Sequence, residues 1–174
     1  MTRVTSEEWR PVVGYEGLYE VSDYGRVRSL DRWVTRGSAH HVQPGRVLRP
    51  GTTKGGHQLV ALSVNGVATS LFVHRLVLAA FVGPCPDGME GLHWDDDKLN
   101  NKLTNLRYGT RGDNLRDMVR NGRHWQAKKT HCKRGHEFTP ENTFSQGGNR
   151  RGCITCRGLT AAAGYRRRKG QVPA

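Results

Sequence analysis

The stretch Gly91-Leu92-His93-Trp94-Asp95-Asp96-Asp97-Lys98-Leu99-Asn100-Asn101-Lys102-Leu103-Thr104-Asn105-Leu106-Arg107-Tyr108-Gly109-Thr110 sets one histidine, three carboxylates and three asparagines between hydrophobic flanks. Turns use asparagine and aspartate freely, because their side chains bond their own backbone, but a bland loop needs no such mixture. Hydrolysis of a phosphodiester does. A base must activate water, a cation must balance charge on a phosphorane-like transition state, and the leaving oxygen must be stabilised. One histidine beside one hard-cation site can supply all three.

Downstream, Asn114, Leu115, Met118 and Val119 recur at helical spacing, with Gly112 or Asp113 near the start and Asn121-Gly122 as a stop. A helix over 113–121 follows, with Asn114 in its first turn. Upstream, His74-Arg75-Leu76-Val77-Leu78-Ala79-Ala80-Phe81 ends at Gly83-Pro84 and predicts a short buried helix in which His74 is structural. Arg46–Arg49, His57–Val64 and Val67–Val73, the last two joined by Asn65-Gly66, predict a short antiparallel sheet. Residues 31–45 lack periodicity and read as a loop, His40-His41 included. From Trp9 to Leu30, bulky and polar residues alternate around Asp23-Tyr24-Gly25, which predicts a β-hairpin. Arg26 and Arg28 then share one face, suited alike to a solvated edge and to a DNA backbone.

Beyond the helix, Cys132-Lys133-Arg134-Gly135-His136 and Cys153-Ile154-Thr155-Cys156 give C-x3-H and C-x2-C, a ligand set for a closed tetrahedral Zn²⁺ site. His131 and His124 are rival ligands. Thr130–Arg157 has only Phe138, Phe144 and Ile154 as substantial hydrophobes, so metal binding has to supply folding energy that a core cannot. Lys133, Arg134, Arg150, Arg151 and Arg157 surround the ligands, as expected of a module that presents cations to a phosphate backbone.

The charge distribution fits. The 174-residue chain carries a net charge of +13, and from Gln126 onward eleven lysines and arginines stand against Glu137 and Glu141. Such a balance favours a polyanionic partner through phosphate neutralisation and counterion release. The 22 glycines argue for small modules in series over one large core. No apolar run approaches the roughly 20 residues that span a bilayer, and Met1–Arg10 lacks the apolar centre of a signal peptide. A soluble protein in a reducing compartment is expected, because three of the four cysteines belong to the metal set and Cys85 stands alone.

Residues from about 72 to 120, Val73-His74-Arg75-Leu76-Val77 through Asn114, resemble the HNH nuclease domain of phage homing endonucleases. The resemblance implies a ββα-metal hairpin and helix. His93 then falls on the general base, Asn105 on the asparagine that orients it, and Asn114 on the helix ligand of Mg²⁺ or Mn²⁺. Relatives often place Asp or another ligand immediately before the histidine; here Leu92 stands there, leaving Asp96, or next Asp95, to supply the missing oxygen. Asp97 belongs to the turn. Arg107 suits either a scissile phosphate or packing on Tyr108.

Trp9–Leu30 closely resembles the modular DNA-binding motif found ahead of HNH nucleases, with Trp9, Tyr15 and Tyr19 as its small core. The expected class is α+β: an N-terminal β-rich DNA-binding module (1–50), the HNH domain (51–125), a zinc module (126–160) and a flexible basic tail (161–174). The resemblance implies a metal-dependent, homing-type endonuclease on double-stranded DNA, with a structural Zn²⁺ and no small-molecule substrate. It would act as a monomer in the cytoplasm of a bacterial host. The rival readings are a catalytically inactive DNA-binding regulator and a structure-selective phage nuclease.

Overall fold

The structure is a computed structural model that describes residues 6–147 and 150–170; the last residues of the expected flexible tail, 171–174, lie outside it. The chain divides into two compact units, one reaching Asn121 and the other starting at Gly122. Mixed helices and small sheets bear out the α+β class. No helix among the described residues is long and apolar enough to cross a membrane.

The first unit opens with a three-stranded antiparallel sheet of β1 (Trp9–Pro11), β2 (Tyr19–Ser22) and β3 (Val27–Ser29). The expected hairpin is there, with Asp23-Tyr24-Gly25 in its turn. Gly25 sits at φ +79°, and a Cβ on it would lie 2.6 Å from the Asn101 Cβ. The Asp23 carbonyl also accepts the Leu103 N–H at 2.7 Å. The turn of the first hairpin is therefore pressed onto the asparagine-rich stretch, in a conformation and a space that suit glycine.

Residues 31–45 are not a loop. They form a second hairpin, β4 (Arg32–Arg36) and β5 (Ala39–Gln43), with Trp33 opposite Val42. Every residue of β5 is exposed and Trp33 is 75% exposed. With neither face buried, no apolar alternation is imposed on the sequence, and periodicity has nothing to detect.

β6 (Gly51–Thr52), β7 (Gln58–Val64) and β8 (Val67–Phe72) make the next antiparallel sheet, turning at Asn65-Gly66 with φ of 51° and 78°. Both central residues of this turn need positive φ, which asparagine and glycine tolerate. Helix α1 (Val73–Phe81) follows at once and buries Val73, His74, Leu76, Val77 and Leu78. Val73, Leu76, Val77 and Leu78 share one core with Val12, just after β1, with Tyr19, Val21 and Val27 of the first sheet, and with Val60, Leu62 and Leu106. The expected boundary at residue 50 thus falls inside a single packed core. Each buried Val or Leu there contributes about 1.5–3 kcal/mol.

β9 (Glu90–His93) and β10 (Leu106–Gly109) pair antiparallel, with a short 3-10 turn, η1 (Leu103–Asn105), before β10. Helix α2 (Arg111–Arg120) completes the hairpin-plus-helix unit. Its cap is Thr110 rather than Gly112 or Asp113: Thr110 Oγ1 accepts the Asp113 N–H while the Asp113 carboxylate accepts the Thr110 N–H. This reciprocal box fixes the start of the helix.

In the second unit β11 (Thr143–Ser145) pairs with β12 (Arg151–Cys153), and α3 (Ile154–Arg168) runs well into the segment expected to be flexible. Among its described residues only Gly152 and Cys153 are buried. A Cβ on Gly152 would come within 2.5 Å of the Phe144 ring.

Candidate functional site

His93 ends β9 and is 6% exposed. The strand lies close on α1 because Gly91 has no side chain; a Cβ there would meet Leu78 Cδ1 at 2.9 Å and His74 Cδ2 at 3.0 Å. Around His93 opens a cleft of about 300 Å³, lined also by His57, His74, Glu90, Asp96 and Asn114.

The side chain that meets His93 is Asn101, not the expected Asn105. Asn101 Oδ1 lies 3.1 Å from His93 Nε2, while Asn101 Nδ2 donates to Gln58 Oε1 at 2.7 Å and to the Leu99 carbonyl at 3.3 Å. A carbonyl oxygen can only accept, so it fixes which way the Asn101 amide is turned. The amide oxygen therefore faces the imidazole, Nε2 carries the proton, and the lone pair of the neutral ring is on Nδ1.

Asn105 binds the loop instead. Its Nδ2 donates to Asp95 Oδ1 at 2.9 Å and to the Asn100 carbonyl at 2.8 Å, and its Oδ1 accepts the Asp95 N–H. Asp95 also accepts from Asn100 Nδ2 at 2.7 Å and from the Asp97 N–H at 2.8 Å. Partial burial alone would raise the Asp95 carboxyl, but these hydrogen bonds outweigh it and hold the group below its usual range. Asp95 is thus spent on the loop and does not line the cleft. Asp96, in left-handed backbone at φ +58°, and Asn114, on the first turn of α2, both do.

Two histidines of the cleft are not among the expected site residues. The ring centroids of His74 and His93 are 5.1 Å apart, those of His57 and His74 5.3 Å, and those of His57 and His93 6.0 Å. Burial, then the neighbouring His93, His57 and Arg75, push His74 down to about 3; burial likewise lowers His57. His74 and His57 come from elements far upstream of His93 in sequence, and no spacing rule links them to it.

Arg107 is engaged within the fold. It donates to Asp117 at 2.5 Å and lies 5.0 Å from the centre of the Trp94 ring. Asp117, 2% exposed, takes Arg120 on its other oxygen at 2.6 Å, and Arg120 stacks over Trp94 at 3.7 Å. The Trp94 carbonyl accepts from Arg120 and from Asn121 Nδ2. This network fastens α2, and with it Asn114, to the strand that carries His93. In the first sheet, Arg26 pairs with Glu7 and Arg28 with Glu20 at 2.6 Å, and both approach the Trp9 ring, at 5.8 and 4.2 Å.

The second unit gathers all four expected zinc ligands. Cys132 Sγ lies 3.5 Å from His136 Nδ1 and 3.6 Å from Cys156 Sγ; His136 Nδ1 lies 3.3 Å from Cys156 Sγ and 3.7 Å from Cys153 Sγ. Tetrahedral zinc with its usual Zn–S and Zn–N bonds sets ligand atoms roughly 3.5–3.8 Å apart. The donor set therefore fits Zn²⁺, with His136 using Nδ1. The Arg134 N–H reaches Cys132 Sγ and the Cys156 N–H reaches Cys153 Sγ, each at 3.4 Å. Asn142 Oδ1 accepts from the Thr155 N–H and hydroxyl and lies 3.5 Å from Cys153 Sγ. The rivals His131 and His124 lie outside the cluster. The surrounding cations Lys133, Arg134, Arg150 and Arg151 are all exposed; Arg151 also donates to the Gln126 and Lys129 carbonyls and lies over Phe138.

Residues 7–63 match the NUMOD4 motif and residues 71–116 match an HNH endonuclease family. The chain is similar to the DNA endonuclease I-HmuI of Bacillus phage SP01, 32% identical over 115 residues, covering 66% of this chain and 59% of that protein. It is similar also to the solved structure described as DNA binding and cleavage by the HNH homing endonuclease I-HmuI, at a TM-score of 0.54, covering 67% of this chain and 60% of that one. The chain spans about three fifths of the length of these relatives. With a NUMOD4 motif ahead of its HNH domain and homology to I-HmuI over two thirds of its own length, the chain belongs to the HNH homing endonuclease family.

Proposed function

We propose that the chain is a divalent-metal-dependent endonuclease of homing type that hydrolyses phosphodiester bonds of double-stranded DNA. One observation carries the reading: a buried histidine whose Nε2 proton is held by an asparagine lies in the same cleft as Asn114 and Asp96. His93 is the general base, acting through Nδ1, and Asn101 is the positioning residue that keeps the other nitrogen protonated. Asn105 acts one step back, by holding the Asp95–Asn101 loop in which Asn101 sits.

Asn114 and Asp96 offer oxygen donors, the chemistry that Mg²⁺ or Mn²⁺ requires. A cation bound there would balance charge at the scissile phosphate and its leaving oxygen. His57 and His74 are neutral near pH 7, so they add hydrogen-bonding capacity to the cleft without adding positive charge.

DNA is held by cations on both units: Arg26 and Arg28 beside the first sheet, and Lys133, Arg134 and Arg150 on a module folded by structural Zn²⁺. Arg107 supports the site by clamping α2, and Arg151 supports the zinc module by tying down the Gln126 and Lys129 carbonyls. The enzyme acts as a monomer in the cytoplasm of a phage-infected bacterium.

The test is Mg²⁺- or Mn²⁺-dependent cleavage of supercoiled DNA by the wild type and by His93→Ala, both shown to be folded and to bind DNA equally. Loss of cleavage in the variant, by about 10²–10⁴-fold, supports the nuclease and its base. One observation favours a second reading, a DNA-binding regulator: Leu92, immediately before His93, is apolar and 2% exposed and offers no donor atom to a cation. Absence of cleavage in both proteins, across several ions and substrates, would select the regulator.

A further inference from the structure

We infer that Glu90 completes the divalent-cation site of this chain, doing for Asn114 what the residue before His93 cannot do. The inference rests on the nuclease reading above. Leu92 has no donor atom and cannot be recruited: it is packed so closely on β10 that a Cβ on Gly109 would lie 2.7 Å from its Cδ1. In a strand, residues two apart project from the same face, so Glu90 leaves β9 on the face of residue 92. Its register partner is Gly109, one residue before the Thr110 cap of α2. This places Glu90 beside the first helical turn, where Asn114 stands.

The contact is formed. Glu90 Oε1 lies 3.4 Å from Asn114 Nδ2, and both residues line the cleft with His93. Turning the Asn114 amide over exchanges its oxygen and nitrogen at almost no change in shape, which brings two oxygens to that separation. Adjacent ligands of an octahedral ion with bonds of 2.0–2.1 Å stand about 3 Å apart, so the pair needs to close by only a few tenths of an ångström. Charge points the same way. The protein has 28 lysines and arginines against 15 carboxylates, and the cleft sets Arg75 and Lys98 beside Glu90 and Asp96. Even so, Glu90 joins no ion pair among the described residues. A carboxylate that joins no ion pair among the described residues, shares the cleft with Asp96 and touches the Asn114 amide has the position and the charge to hold a hard cation.

The test uses the zinc-loaded full chain and Mn²⁺ as the probe, with binding followed by loss of the free-ion electron paramagnetic resonance signal. Nicking of supercoiled DNA against Mn²⁺ concentration is measured alongside. Glu90→Gln should weaken Mn²⁺ binding at least tenfold, the low end for disturbing a metal site, and raise the Mn²⁺ needed for half-maximal nicking by the same factor. Metal-free DNA binding should stay unchanged. Adding Leu92→Asp to Glu90→Gln should recover part of the affinity, since it returns a carboxylate to the same face. Mn²⁺ binding that is unaltered by Glu90→Gln while Asn114→Ala abolishes it overturns the inference and leaves the nuclease intact. Nicking that survives His93→Ala overturns the nuclease reading instead, and a wild type that neither binds Mn²⁺ nor nicks overturns both.

Discussion

The two units hold their functional groups by opposite means. In the first, eleven buried apolar residues drawn from two sheets, α1 and β10 form the core beneath His93. In the second, only Gly152 and Cys153 are buried among the described residues, and four ligand atoms lie within 4.8 Å of one another. A site built over an apolar core has its geometry fixed by packing, whether or not a cation is bound. A module without a core has to draw its folding energy from elsewhere, and on the reading proposed above closing the zinc ligand set supplies it.

The largest test of this contrast is removal of zinc. Structural zinc supplies on the order of 10–16 kcal/mol of apparent free energy to small modules, far more than the apolar burial available after Gly122. Chelation should erase the ordered spectrum of 122–170 while the amide resonances of the first unit keep their positions. Retention of the second unit after verified zinc loss would show that something other than the metal folds it.

The next effect is inside the first unit. Removing one partner of a buried ion pair costs about 3–5 kcal/mol; because Arg107 and Arg120 keep 34% and 39% of their side chains exposed, the lower end applies to Asp117→Ala. Denaturant unfolding of the first unit should report a loss of about 3 kcal/mol, and nicking should fall as Asn114 loses its fixed place. If stability drops without any change in nicking, the Arg107–Asp117–Arg120 network has no part in positioning Asn114.

Acid should separate the units as well. His74 in the folded protein is pushed down to about 3, against an unfolded value near 6.5. Above pH 6.5 both states are neutral at this site. As pH falls below 6.5 the unfolded chain takes up the proton first, so stability is lost by about 1.4 kcal/mol per pH unit until the folded value is reached. By pH 5 the first unit should have lost roughly 2 kcal/mol, and His74→Gln should flatten that slope. An unchanged slope in the variant would assign the acid sensitivity elsewhere.

What could be read from the sequence follows the same division. The gathering of Cys132, His136, Cys153 and Cys156 was legible because C-x3-H and C-x2-C are spacings suited to one ion, and the cleft that holds His93 and Asn114 because their residue types are unusual in that setting. Asn101 and Asn105 could not be told apart, since a loop has no period that says which amide turns toward the histidine. Asp117 reads as an ordinary surface carboxylate of an amphipathic helix until β9 and β10 are laid beside it. The first hairpin's alternation of apolar residues was clear, but nothing in it says that Val21 and Val27 share a core with α1. The exposed β4–β5 hairpin left no trace in the hydrophobic pattern.

The finest test of the contrast compares two asparagines that serve as hubs, Asn105 in the first unit and Asn142 in the second. Asn142 ties the three parts of the zinc module together: its Oδ1 accepts from Thr155, its Nδ2 donates to the Glu137 carbonyl at 2.5 Å, and its own carbonyl accepts the Ile154 N–H at 3.0 Å. Asn142→Ala removes the side-chain bonds and costs about 1–3 kcal/mol, but in a metal-folded module that cost has to appear as weakened zinc affinity, by roughly tenfold. In a unit held by its core, Asn105→Ala costs a similar amount and should appear as lower unfolding free energy with zinc affinity untouched. Competition with a chromophoric chelator measures the first and denaturant unfolding the second. Zinc affinity that is the same in Asn142→Ala as in the wild type would mean that the ligands alone set the module's geometry, and that the surrounding hydrogen bonds only follow.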